Sequence, residues 1–236
     1  EGAYLRSLPD SLDIVTLANS ENISTYDRED IPLLQEKSTK VLYRVDYASQ
    51  AAILSDAAKL GAFLDKAIAT ATELNLNGFA FTGMPLYSGT EAELAARKEA
   101  AKLIVSRLSA AASGDKLLVL DGDPAFVETS DIEKLDYIVL NTVDITNVTT
   151  LKLLVTGLLD NQSLPKEKLL LAAKINNQII DETNVKQDAV TVMTERVVSL
   201  GPLGGLAIFA TGDDYYQTKM HYAITRTAIQ LMNPSN

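Results

Sequence analysis

The sequence predicts an α/β protein, a (β/α)8 TIM-type barrel whose first strand is missing from the 236 residues given. Three observations predict it. Short apolar runs alternate with longer helical ones, the order of a parallel sheet wrapped by helices. The short runs are almost continuous in Val, Ile, Leu and Phe, as strands buried on both faces must be. The length suits one large barrel, so residues 1–236 are read as a single domain.

Seven strands are expected, at Asp13–Ala18, Lys40–Asp46, Gly78–Thr82, Lys116–Leu120, Tyr137–Asn141, Leu169–Lys174 and Leu206–Ala210. Between and after them the spacing predicts helices at Arg28–Glu36, Ile53–Glu73, Glu91–Ala112, Thr149–Leu159, Ala189–Leu200 and Tyr215–Met232. Across Ala51–Leu76 the apolar residues recur at three- and four-residue steps, the period of an amphipathic helix. A closed barrel of this kind has eight strands, and the shortfall lies before Asp13. An upstream strand trimmed from the chain is expected rather than an open barrel, which would leave two unprotected strand edges. Ser163-Leu164-Pro165 reads as a helix-to-strand turn, and no linker or repeat interrupts the pattern.

Composition narrows the function classes. Hydrophobic residues make up 47% of the chain, too many for a disordered one. Acidic residues number 31 against 21 basic, a formal charge of −10, so neither nucleic acid nor an anionic membrane surface is an expected partner. No apolar run reaches the length of a membrane span. With no cysteine, disulfides and thiolate chemistry are excluded, and no metal or other cofactor is expected. The single histidine, His221, is read as a solvated or capped side chain rather than a base. Sequons begin at Asn22, Asn147 and Asn161, and would matter only in a eukaryotic secretory pathway.

Several segments together carry a family resemblance. They are Leu8-Pro9-Asp10-Ser11-Leu12-Asp13-Ile14-Val15, Lys40-Val41-Leu42-Tyr43-Arg44-Val45-Asp46-Tyr47, Asn77–Met84, Leu135-Asp136-Tyr137-Ile138-Val139, and Leu203-Gly204-Gly205-Leu206-Ala207-Ile208-Phe209-Ala210. In order and spacing the chain resembles the family 18 glycoside hydrolases, the chitinase and endo-N-acetylglucosaminidase group. The resemblance makes Leu8–Val15 the approach to the second barrel strand. It also implies the motif D-G-x-D-x-D-x-E on the strand at Asn77–Met84. There the four acidic positions are Asn77, Ala80, Thr82 and Met84, so the catalytic residues implied by the family are absent.

The family's chemistry shows what that loss means. Its enzymes use the substrate's own 2-acetamido carbonyl as nucleophile, outside the two-carboxylate scheme. The last glutamate protonates the leaving oxygen, and the aspartate two residues earlier orients the acetamide. Losing a general acid costs about 10²–10⁴-fold. On strand geometry, Ala80, Thr82 and Met84 share one face, toward the barrel lumen, while Phe79 and Phe81 point to the helices. That reading makes the lumen layer a settled core without buried charge. Two further departures agree: Val143 stands near the place of an acetamide-holding tyrosine, and Phe209 stands where the family has a tryptophan floor.

Other residues are candidates for ligand contact, because sites in this architecture lie at the C-terminal ends of strands. They are Asn19, Asp46, Tyr47, Asp121, Asp123, Asn141, Asp144, Lys174, Asn176, Asp213, Asp214 and Tyr215. Asp121-Gly122-Asp123-Pro124 reads as a turn before it reads as a carboxylate pair, and Gly212-Asp213-Asp214 as a helix start. Lys174 is a strand-end lysine reaching water before it is a Schiff base. Tyr43, Tyr47, Tyr87, Tyr215 and Tyr216 offer a sugar-stacking surface, with core-edge packing as the plainer role. Gly201-Pro202-Leu203-Gly204-Gly205 precedes a strand, which argues against a phosphate cradle.

The resemblance and its departures imply a catalytically silent barrel in a bacterial glycan-uptake system, exported to the periplasm or outer-membrane surface. Its partner would be an N-acetylglucosamine-containing glycan, an N-glycan or a chitooligosaccharide. Two alternatives stay open. One is an active endo-glycosidase using displaced acids drawn from Asp46, Asp121, Asp123 and Asp144. The other is a scaffold that contacts proteins of the uptake assembly and binds no sugar.

Overall fold

The computed structural model describes residues 4–83, 89–211 and 222–233. Seven strands form one sheet in chain order: β1 (Ile14–Leu17), β2 (Lys40–Val45), β3 (Gly78–Thr82), β4 (Leu117–Asp121), β5 (Tyr137–Val139), β6 (Leu169–Lys174) and β9 (Gly205–Phe209). A separate antiparallel hairpin, β7 (Gln178–Ile180) and β8 (Lys186–Asp188), follows β6. The helices are α1 (Thr25–Glu36), α2 (Ala57–Glu73), α3 (Glu91–Ala111), α4 (Thr129–Ile132), α5 (Val148–Asp160), α6 (Ala189–Ser199) and α7 (Ala223–Met232). Parallel strands laid down in chain order, with a helix after each, make this a TIM-type barrel fold lacking one strand. No described helix is long and apolar enough to cross a membrane.

Two compact units make up the chain, residues 12–138 and residues 1–11 with 139–236. In the first, β1, β2, β3 and β4 pair in parallel, with Tyr43 opposite Phe79 and Phe79 opposite Leu118. Val41, Tyr43, Val45, Phe79, Phe81, Leu118 and Leu120 are all buried and alternate onto one face. Tyr43 and Phe79 meet edge to face, 6.4 Å between centroids. Leu60 and Leu64 of α2, with Ile104 and Leu108 of α3, complete this core. The phenylalanines of β3 therefore lie in the apolar core, as strand alternation predicts.

The second unit is built on β6, whose Leu169, Leu171, Ala172 and Ala173 are buried, as are Leu151 and Val155 of α5 and Val190 and Met193 of α6. Thr142 is fully buried, and its hydroxyl both donates to the Ala172 carbonyl and accepts from the Ala172 N–H, each at 2.7 Å. That exchange replaces a strand rung, so β5 ends at Val139 rather than at Asn141. The Gly-rich run before β9 spends its backbone on packing: Leu203 N–H donates to Val197 and Gly204 N–H to Leu169.

Helix starts follow their caps. Ser24 accepts from Asp27 N–H, so α1 begins at Thr25, three residues before the apolar pattern does. Asp56 accepts from Lys59 N–H, and residues 47–53 turn as a 3-10 helix, so α2 begins at Ala57 and not at Ile53. Thr90 and Glu93 close a capping box at the start of α3.

Candidate functional site

Strand register assembles the site within the unit of residues 12–138. Arg44 lies opposite Ala80, and Thr82 lies opposite Asp121. Asp46, two residues beyond Arg44, shares its face, and the Thr82 hydroxyl donates to Asp46 Oδ1 at 3.1 Å. Asp46, Thr82 and Asp121 thus form a row across the C-terminal ends of three adjacent strands, with Arg44 one step below them. Ala80, at the level of Arg44, presents only a methyl group and leaves room for the arginine side chain. The Arg44 guanidinium reaches Asp46 Oδ2 at 3.9 Å, with side-chain exposures of 36% and 44%.

The backbone fixes this row. Ser20 is buried, donates to the Leu17 carbonyl at 2.8 Å and accepts from the Arg44 N–H at 2.7 Å, so it continues the β1–β2 ladder past its last rung. Gly83 N–H donates to the Asp121 carbonyl at 3.0 Å. Gly122 then passes so close that a Cβ on it would meet Gly83 at 3.2 Å, and its φ is +148°. Only glycine fits that crossing.

Electrostatics separates Asp121 from an ordinary surface aspartate. Burial pushes its carboxyl above the usual range; Arg44 pulls it back, and the negative charge of Asp46 pushes it further up. The sequence-based expectation of a lumen layer without charge is therefore corrected. Thr82 sits between two carboxylates and bonds one of them, so this layer is a polar centre.

A carboxyl raised in the folded state stabilises the fold when protonated. Its contribution is complete below the unfolded pKa of about 3.9 and is lost as pH rises through the higher folded value. Asp121→Asn removes that loss. Its unfolding temperature is expected to exceed the parent's at neutral pH, the two converging toward about pH 3 in thermal melts. A variant less stable by the same margin at every pH would show that Asp121 serves as a hydrogen-bonded strut instead.

The remaining candidates part company. Tyr47 is corrected from ligand contact to core, because it is fully buried and offers no ring face to a sugar; Tyr43 is likewise buried. Asp123 caps the 3-10 turn at Pro124–Phe126 by accepting from Ala125 N–H, which bears out the turn reading. Asn19 precedes the 3-10 turn at Ser20–Asn22, its carbonyl accepting from Asn22. In the other unit Asn141, Asp144 and Lys174 are exposed at strand exits, and Asn176 takes a left-handed turn conformation, φ +69°. Val143 accepts from Asn177 Nδ2 through its carbonyl, and Phe209 ends β9 with 39% of its surface exposed. Met84, Tyr87, Asp213, Asp214, Tyr215, Tyr216 and His221 lie outside the described residues. Among the described residues no group of three or more His, Cys, Asp or Glu side chains could hold a metal.

Sequence reasoning missed Arg44 and Ser20 as parts of the site. Arg44 carried a usable signal, a charge two residues from Asp46 on an otherwise apolar strand. Ser20 carried none.

Asn77, at the first position of the motif that the resemblance implies, has a structural duty. Its side-chain oxygen accepts from Val41 N–H at 2.9 Å and from Gln35 Nε2 at 3.0 Å, tying β3 to β2 and α1. An aspartate carboxylate would accept the same two bonds.

No family model matches the chain, and no curated protein does. Solved structures do. A chitinase from Bacteroides thetaiotaomicron aligns with a TM-score of 0.71 at 12% identity, over 94% of this chain and 88% of its own. An endo-β-N-acetylglucosaminidase from Cordyceps militaris gives 0.68 at 16%, over 96% and 83%. A chitinase-like agglutinin from Robinia pseudoacacia gives 0.66 at 14%, over 93% of each chain. The chain has the fold of the family 18 glycoside hydrolases, as the resemblance implied.

Proposed function

We propose that this chain is a catalytically silent family 18-like barrel that binds N-acetylglucosamine-containing glycans, in a bacterial glycan-uptake system at the periplasm or outer-membrane surface. One observation carries the reading. At the position of the acetamide-orienting aspartate stands Thr82, buried and hydrogen-bonded to Asp46, and Ala80 precedes it. A strand settled in this way supplies no proton donor through Gly83, and the sequence places Met84 at the acid position. The half-exposed Arg44 and Asp46 leave donors and acceptors for sugar hydroxyls at the strand ends. That one fold neighbour is a chitinase-like agglutinin supports binding over hydrolysis.

A second reading has its own observation. A carboxyl pushed upward beside an ionisable partner is where a general acid is sought, and Asp121 beside Asp46 meets that description. One experiment separates the two. The purified protein is incubated with a pool of N-glycans and chitooligosaccharides, and bound and free fractions are analysed by mass spectrometry. Intact glycans retained on the protein are expected. Shortened products that vanish in Asp121→Asn would replace silence with displaced-acid hydrolysis. No retention and no products would favour a scaffold.

A further inference from the structure

Resting on the glycan-binding reading above, we propose that the centre of Arg44, Asp46, Thr82 and Asp121 selects a cationic amino sugar, a hexosamine unit whose nitrogen is unacetylated and protonated. The first argument is charge count. Among the described residues of this unit, two carboxylates and one guanidinium share one face of β2, β3 and β4, one positive charge fewer than negative. The guanidinium is 3.9 Å from Asp46, an ion-pair contact too long for a hydrogen bond. Thr82 supplies Asp46 with a hydroxyl donor and no charge. Among the described residues, no hydrogen bond or ion pair reaches the Asp121 carboxylate. Burial raises its proton affinity and the charge of Asp46 adds to this against the pull of Arg44, so an external cation beside it would act in the same direction as Arg44.

The second argument is donor count. An ammonium carries three donors and a charge, so one group bound above Thr82 can serve both Asp46 and Asp121. An acetamide offers one uncharged N–H. A carboxylated or sulfated sugar would meet like charge, in a chain whose formal charge is already −10. The third argument joins this to the altered motif. A sugar with a free amine has no acetyl carbonyl to act as internal nucleophile, so a centre built for it has no use for the acids missing from β3.

The test titrates the whole chain calorimetrically at pH 6 with three disaccharides: β-1,4-linked glucosamine dimer, chitobiose and cellobiose. The glucosamine dimer is expected to bind about tenfold tighter than chitobiose, a difference of about 1.4 kcal/mol. The preference for the glucosamine dimer over chitobiose and over cellobiose should shrink toward unity in Asp46→Asn and in Asp121→Asn. Arg44→Gln should enlarge it, because the competing cation is gone; a merely structural role would not move the ratio in opposite directions. Chitobiose binding as well as or better than the amine would overturn this inference and leave the glycan-binding reading intact. Binding of none of the three would overturn both.

Discussion

Replacing Gly78 by alanine is expected to cost about 4 kcal/mol or more, and to lower the unfolding temperature by about 10 °C or prevent soluble expression. Gly78 opens β3 with φ +131°, a conformation that L side chains rarely adopt. A Cβ there would stand 2.0 Å from the Leu117 carbonyl oxygen and 2.6 Å from its nitrogen. Both obstacles are backbone, so no rotamer change relieves them. Moving Leu117 would break the β3–β4 register that sets Thr82 opposite Asp121. Thermal unfolding followed by circular dichroism checks this. A fall of only one or two degrees would mean that β3 and β4 are spaced otherwise than described.

Gly78 also shows why the fold was legible. The Asn77-Gly78 pair is read at the start of an apolar run, and its physical duty is local: Asn77 ties down β2 and α1, and Gly78 admits β4. Such duties leave sequence traces, as do buried parallel strands and helices whose apolar residues recur every three or four positions. Boundaries were less legible, because caps decide them. The starts of α1 and α2 are set by Ser24 and Asp56, single residues whose signal is weaker than the apolar periodicity they interrupt. The hairpin of β7 and β8 left still less trace. Its strands are only three residues each, and its turn is held by Asp181 accepting from Thr183, Val185 and Gln187, contacts that hold its carboxyl well below the usual range. Strands this short carry too few residues for an apolar run to reveal them.

The site was half legible. Strand-end position singled out Asp46 and Asp121, and alternation put Ala80 and Thr82 on one face. What could not be read was that the neighbouring strands bring their charges to the same level as Thr82. That depends on inter-strand register, which is set by β-ladder contacts far apart in sequence. Tyr47 failed for a related reason. It follows Asp46 in the chain, but the 3-10 turn that begins there carries its ring into the core.

The same register makes a strong demand on position 82. Thr82→Asp, which introduces the residue that the family resemblance implies at this position, would put three carboxylates in one row against the guanidinium of Arg44. It is expected to destabilise the protein by about 2 kcal/mol at neutral pH, a figure already discounted for the exposure of Asp46 and Arg44. The new carboxyl would hold its proton more tightly in the folded state than in the unfolded one. The penalty therefore grows as pH rises through the folded pKa and fades on acidification. Adding Asp46→Asn should recover most of the loss, because it returns the row to two carboxylates; Asp46→Asn alone should change stability far less. Denaturant unfolding of the parent, both single variants and the double variant, at pH 4 and 7, measures the coupling. Additive losses at both pH values would show that positions 46 and 82 do not sense one another. A coupled result would mean that Asp46 and an aspartate at position 82 compete for the same guanidinium.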